Sequence, residues 1–141
     1  MADVSVTAAS VVRTGGTPLI DGILASTTTA GQTAYDTVAG TAPPTYGLCD
    51  ANGTTPADKF VGIFATGGAA GQPCKIIPAG ATYNPGFTAT VGEIYVTTVT
   101  AGGIALADDL ASGWKTAIVG VALSTTSIYV IGYASETALT A

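Results

Sequence analysis

The 141-residue chain has no histidine, and only four of its residues are basic: Arg13, Lys59, Lys75 and Lys115. Without an imidazole, neither a Ser-His-Asp nor a Cys-His arrangement can be assembled to activate a nucleophile. Two cysteines without CxxC spacing give no zinc pattern. Four scattered cations in a chain of net charge −5 cannot neutralise a row of phosphates, so nucleic acid is excluded as a partner. The same balance disfavours anionic membranes, and no apolar run approaches membrane-spanning length. The opening "MADVSVTAASVVRTGG" has neither the basic nor the apolar region of an export signal, so synthesis in the cytoplasm is expected.

Charge of either sign is scarce as well. Charged residues make up 9% of the chain, against about 25% in an ordinary soluble domain. In their place stand Ala, Val, Thr and 19 glycines. A chain of this length is one domain, able to bury roughly two-thirds of its unfolded surface. With so few charges, much of the remaining surface is expected to be hidden against other chains. Cys49 and Cys74 stand in apolar company and read as reduced, buried small hydrophobes.

The short apolar runs, broken by Gly, Pro, Asn and Asp, read as strands. "DVSVTAASVV" is an extended arm or first strand, and Gly15–Gly16 with Pro18 marks a turn. Pro43–Pro44 lies in a loop, because proline has no amide to give a sheet. A phrase is also repeated. "KFVGIF" (Lys59 to Phe64) returns as "AIVGVA" (Ala117 to Ala122), within a longer correspondence in which Gly31 answers Gly92, Leu48 answers Leu106, Asp50 answers Asp108 and Gly62 answers Gly120; with the two copies side by side, Tyr35 lies near Val96. Four matched segments in the same order predict an all-β fold, a small β-sandwich or barrel built from two similar four-strand units with an N-terminal extended arm. The arm or first strand spans 1–27 and the β-domain 28–141, with the repeat at approximately 28–80 and 88–135. A glycine between apolar strand residues marks a bulge, a bend or a close backbone approach. Val61 and Ile63 are expected on one face, with Val119 and Val121 as their counterparts.

"ALADDLASGWK" (Ala105–Lys115) holds the one helix candidate, capped by Asp108 and ended by Gly113. Trp114 after it reads as sealing a core edge. Little here points to chemistry. Asp108–Asp109, and Asp50 with Asp58, read as solvated turn acids. "TGGAAG" at 66–71 lacks the Lys-Ser/Thr of a phosphate loop and reads as a hairpin turn. "DANGTTPAD" at 50–58 misses the spacing of a calcium loop; Asn52–Gly53 makes it a turn. Six tyrosines, at 35, 46, 83, 95, 129 and 133, suit cross-strand packing or a subunit interface better than a carbohydrate platform. No catalytic, cofactor-binding or metal-binding residues are assigned; the chain reads as a non-enzyme without cofactors.

Val61-Gly62-Ile63, Gly71-Gln72-Pro73, Gly92-Glu93-Ile94-Tyr95-Val96, Gly102-Gly103-Ile104-Ala105, Asp109-Leu110 and Val119-Gly120-Val121-Ala122 follow one another in an order that resembles the decoration (cement) proteins of tailed-bacteriophage heads. The resemblance covers roughly residues 28 to 135. It implies a β-rich fold, self-association as a homotrimer, the major capsid protein as partner, and a place on the outside of the mature capsid after synthesis in the host cytoplasm. It implies no catalytic residues. The alternative is a phage head-fibre or tail/spike component binding the host surface. Separately, the alternating arm suits a strand added to a neighbour's sheet edge, with Val4, Val6, Val11 and Arg13 as candidate capsid contacts; the competing reading is an ordinary first strand of the protein's own barrel.

Overall fold

A computed structural model of the chain describes residues 3–37, 43–51, 60–98, 100–107 and 117–134, the last three as backbone. A 3₁₀ turn, Ala8–Ser10, precedes eleven strands among these residues: β1 (Val12–Gly16), β2 (Ile20–Leu24), β3 (Thr33–Asp36), β4 (Thr45–Leu48), β5 (Gly62–Phe64), β6 (Pro73–Pro78), β7 (Ala81–Asn84), β8 (Ile94–Thr97), β9 (Ile104–Leu106), β10 (Ala117–Ser124) and β11 (Ser127–Ala134). Strands β2-β4-β3-β5-β6 close into a barrel, and β1-β7-β11-β10-β8-β9 form a six-stranded sheet. The protein is all-β.

The two runs of four strands are wired alike. In the first, β3 pairs with β4 and β5, and β5 with β6. In the second, β8 pairs with β9 and β10, and β10 with β11. The correspondence reaches single residues. Ala34 lies between Leu48 and Gly62, and Tyr95 between Leu106 and Gly120. The turns "TAGQ" and "TVGE" share their hydrogen bonds: Gly31 N–H donates to Phe64 O and Gly92 N–H to Ala122 O, while Phe64 N–H donates to Gln32 O and Ala122 N–H to Glu93 O. Both turn glycines have positive φ, 95° and 83°, which a side chain would resist.

Each run gains one strand from outside the matched segments: β2, where Leu19, Ile20, Ile23 and Leu24 already read as short β-like runs, before the first, and β7 before the second. β2 lies antiparallel to β6 and parallel to β4, which closes the barrel. β7 pairs with β11 and β1, so the second unit stays an open sheet.

Two apolar layers result. Leu24, Ala34, Tyr46, Phe64, Cys74 and Ile76 fill the barrel. A second cluster lies between the barrel's outer side (Cys49, Phe60, Ile63, Ile77) and the six-stranded sheet (Tyr83, Tyr95, Val119, Ala122, Ile128, Val130). This explains the run "CKII" in β6: Cys74 and Ile76 point into the barrel, while Ile77 points to the sheet, and both isoleucines are fully buried. Both cysteines are buried, and no disulfide joins them.

The expectation of one face for the repeated valines fails. Ile63 joins the layer between barrel and sheet, whereas Val61, just outside β5, packs on the barrel interior. In β10 the register shifts between Ile118 and Gly120. The irregularity breaks the simple alternation, so Val119 is buried and Val121 half-exposed. Ala105 and Leu106, the first residues of the helix candidate, belong to β9. Ala107 follows β9 in 3₁₀ conformation; residues 108–115, with Asp108–Asp109 and Trp114, and most of the 50–58 turn lie outside the described residues.

Tyr83 is fully buried, and its hydroxyl has no hydrogen-bond partner among the described residues; the same holds for Thr33 Oγ1. Burial pushes the Tyr83 phenol above its ordinary pKa of 10.0. A buried unpaired hydroxyl costs about 1–3 kcal/mol, so Tyr83→Phe is expected to stabilise the protein by about 1 kcal/mol, measured by urea unfolding. As pH rises past 10 the unfolded state releases this proton first, and stability falls. Tyr83→Phe should make that alkaline loss shallower.

Candidate functional site

The N-terminal segment holds the four residues singled out from the sequence. Val11 is 8% exposed and belongs to the layer between barrel and sheet, with Val4 and Val6 half-buried against it. Two backbone bonds fix the segment: Val4 N–H to Ile104 O at 2.9 Å and Thr7 N–H to Gly86 O at 2.7 Å. Its path crosses both units. A Cβ at Gly31, in the barrel's turn, would meet Val6 at 2.6 Å and Val11 at 3.0 Å; one at Gly86, after β7, would meet Thr7 O at 2.5 Å. The segment thus straps the barrel to the sheet, and the small residues at those turns leave room for its valines. A groove of about 310 Å³ runs between Val4, Val6, the Thr29–Gln32 turn and Gly102–Ile104.

Arg13 stands apart from the three valines. Its Nε donates to Thr17 O at 2.8 Å and its Nη2 to Gly16 O. This ties the guanidinium to carbonyls at the end of β1, an edge strand, and a charge there discourages pairing with a further strand. In the isolated chain, therefore, all four side chains are engaged within the fold. A capsid contact through Val11 requires the segment to leave its own core, whereas Val4 and Val6 keep part of their surface on the groove.

A second groove, of about 490 Å³, is lined by Cys74, Pro73 and Pro43 together with Asp21 and Lys75. Asp21 and Lys75 are cross-strand partners joined by an exposed ion pair, an arrangement that contributes little to stability. Burial, then the charge of Asp21, raises the Cys74 pKa, which keeps the thiol protonated and unreactive. The groove's geometry offers shape but no activated group. Among the described residues no three metal-ligating side chains converge.

The tyrosines are dispersed. Tyr46 lines the barrel interior, Tyr83 and Tyr95 the layer beneath the sheet, and Tyr95 accepts a hydrogen bond from Thr90 N–H at 3.0 Å. Of those with described side chains, only Tyr129 is prominently exposed, at 40%. It stands on the outer face of the six-stranded sheet with Ile94 (39%), Leu123 (54%) and Ile131 (41%). Val121 lies opposite both Ile94 and Tyr129. The sequence put these residues in strands but did not say which face would stay open, because Ile94 and Val121 have the same apolar character as their buried neighbours.

No protein-family model matches the chain, and no curated protein matches its sequence.

Proposed function

We propose that the chain is a structural virion protein that binds the outside of the mature head of a tailed bacteriophage and stabilises contacts between capsomers. The observation that carries this reading is the outer sheet face, where apolar side chains stand in a patch on a chain with few charges; such patches mark interaction surfaces. The segments that resemble decoration proteins support it: "TVGEIYV" forms the turn and first part of β8, "GGIA" leads into β9, and "VGVA" lies in β10. The partners in this reading are the major capsid protein and further copies of the chain, a homotrimer by the sequence resemblance. Preference for the expanded shell over its precursor would stabilise the mature state by mass action, and several weak contacts per oligomer would add through avidity.

Electron microscopy of the phage that encodes the chain tests the proposal. The expected result is density for the protein at repeated capsomer junctions over the whole head. Density confined to a few copies at the tail or on fibres would overturn it in favour of the host-binding alternative. Heads lacking the protein should also release DNA at a lower temperature, with saturable rescue by added protein; heads of equal heat stability count against the reading.

A further inference from the structure

The repeat gives a direct comparison between two equivalent sheet faces, one covered and one not. By register, Thr33 opposite Ile63 corresponds to Ile94 opposite Val121, and Ile63 opposite Ile77 corresponds to Val121 opposite Tyr129. In the first unit the row Thr33–Ile63–Ile77 is wholly buried, under the inner face of the six-stranded sheet of the same chain. In the second unit the row Ile94–Val121–Tyr129 faces outward, flanked by Leu123 and Ile131. The same row of the same repeat is thus built to lie under a β-sheet, and in one of its two copies nothing in the described chain covers it.

We infer that this second row is covered by the same row of another copy of the chain, in a face-to-face pair about a two-fold axis running along β10. The register supports that occupant. With Ile94 and Tyr129 on either side of Val121, rotation about β10 lays each Tyr129 over the partner copy's Ile94 and brings the two Val121 side chains together. Ile94, Val121, Leu123, Tyr129 and Ile131 carry no charge, so two copies of an acidic chain meet there without like charges opposed. An isologous contact of this kind closes on itself and does not propagate into a fibre. The pairing uses the outer face that the capsid-binding reading also uses; it is a state of the free protein, measured without capsids.

Two measurements on the intact chain test it. Light scattering should show a mass rising from monomer toward dimer with concentration in the high-micromolar range. Tyr129→Glu and, separately, Leu123→Asp should each hold the protein at monomer mass. Both side chains are exposed, and a native circular dichroism spectrum checks that the variants are folded. Val12→Glu, on exposed β1, should associate like the parent. Val121→Cys under mild oxidation should give a covalent dimer, whereas Val12→Cys should give none. A parent chain that stays monomeric, an oligomer that survives Tyr129→Glu and Leu123→Asp, or Val121→Cys cross-linking no better than Val12→Cys would each overturn the inference. Capsid binding can succeed or fail without altering any of these results.

Discussion

Gly120→Ala is expected to destabilise the protein by about 3 kcal/mol and to lower its melting temperature by about 10 °C, and Gly62→Ala by a similar amount. Neither glycine has a positive φ, so backbone strain is not the reason. A Cβ on Gly62 would meet Ile77 O and Ile76 Cγ2, each at 2.5 Å; one on Gly120 would run into Tyr129 O and meet Ile128 Cγ2 at 2.9 Å. The two collisions are equivalent in the repeat. In each, the neighbouring strand's carbonyl passes over the glycine, and a methyl group would push two paired strands apart within a close-packed layer. Gly92→Ala is the control. Its Cβ would meet nothing within 4 Å but would sit at a φ of 83°, for a cost of about 1 kcal/mol. Thermal unfolding of the three variants separates close approach from backbone strain. Equal, small losses in all three would show that the strands accommodate the methyl group.

Removal of residues 1–11 should be nearly as damaging, with an expected loss of about 4 kcal/mol, since burying one valine side chain is worth about 1.5 kcal/mol or more. Val11 is in the core, Val4 and Val6 pack against it, and the backbone bonds to Ile104 and Gly86 go with the deletion. Against a typical total of about 5–15 kcal/mol, that brings the chain close to unfolding at moderate temperature. A urea midpoint equal to that of the intact protein would show the strap to be dispensable. The result also governs how capsid experiments are designed. A truncated protein that fails to bind capsids has not thereby revealed an arm, because the deletion opens the layer between barrel and sheet. Milder changes such as Val4→Thr, with the fold checked independently, are the better probe of direct contact.

Particular residues show how far the sequence could be read. Gly31, Leu48 and Gly62 were matched to Gly92, Leu106 and Gly120 from spacing alone, and the hydrogen bonds and strand registers join those same partners in each unit. This was legible because positive φ at a turn favours glycine and a strand under a neighbour's carbonyl has no room for a side chain, so glycine marks the same positions in both units. β7 was not legible: "ATYN" is four residues without a long apolar run, and it becomes a strand because β1 and β11 offer edges on either side of it. The faces of Val119 and Val121 were misjudged because alternation assumes regular pairing, and the register shift between Ile118 and Gly120 breaks it.

By itself the sequence determined the class of the protein: all-β, poor in charge, built from a unit used twice, with no imidazole to work with. Those features depend on composition and local spacing, which tertiary contacts do not change. Only the tertiary structure decided that the first unit closes into a barrel while the second stays open, since closure depends on β2 reaching both β6 and β4 across the chain. It decided too that the valines of the N-terminal segment face inward, because an alternating apolar segment suits a neighbour's sheet as well as its own. And it decided which of two equivalent apolar rows is covered. Thr33–Ile63–Ile77 and Ile94–Val121–Tyr129 are both strand faces in sequence, and what separates them is that, among the described residues, the inner face of the six-stranded sheet lies on the first row and leaves the second outside.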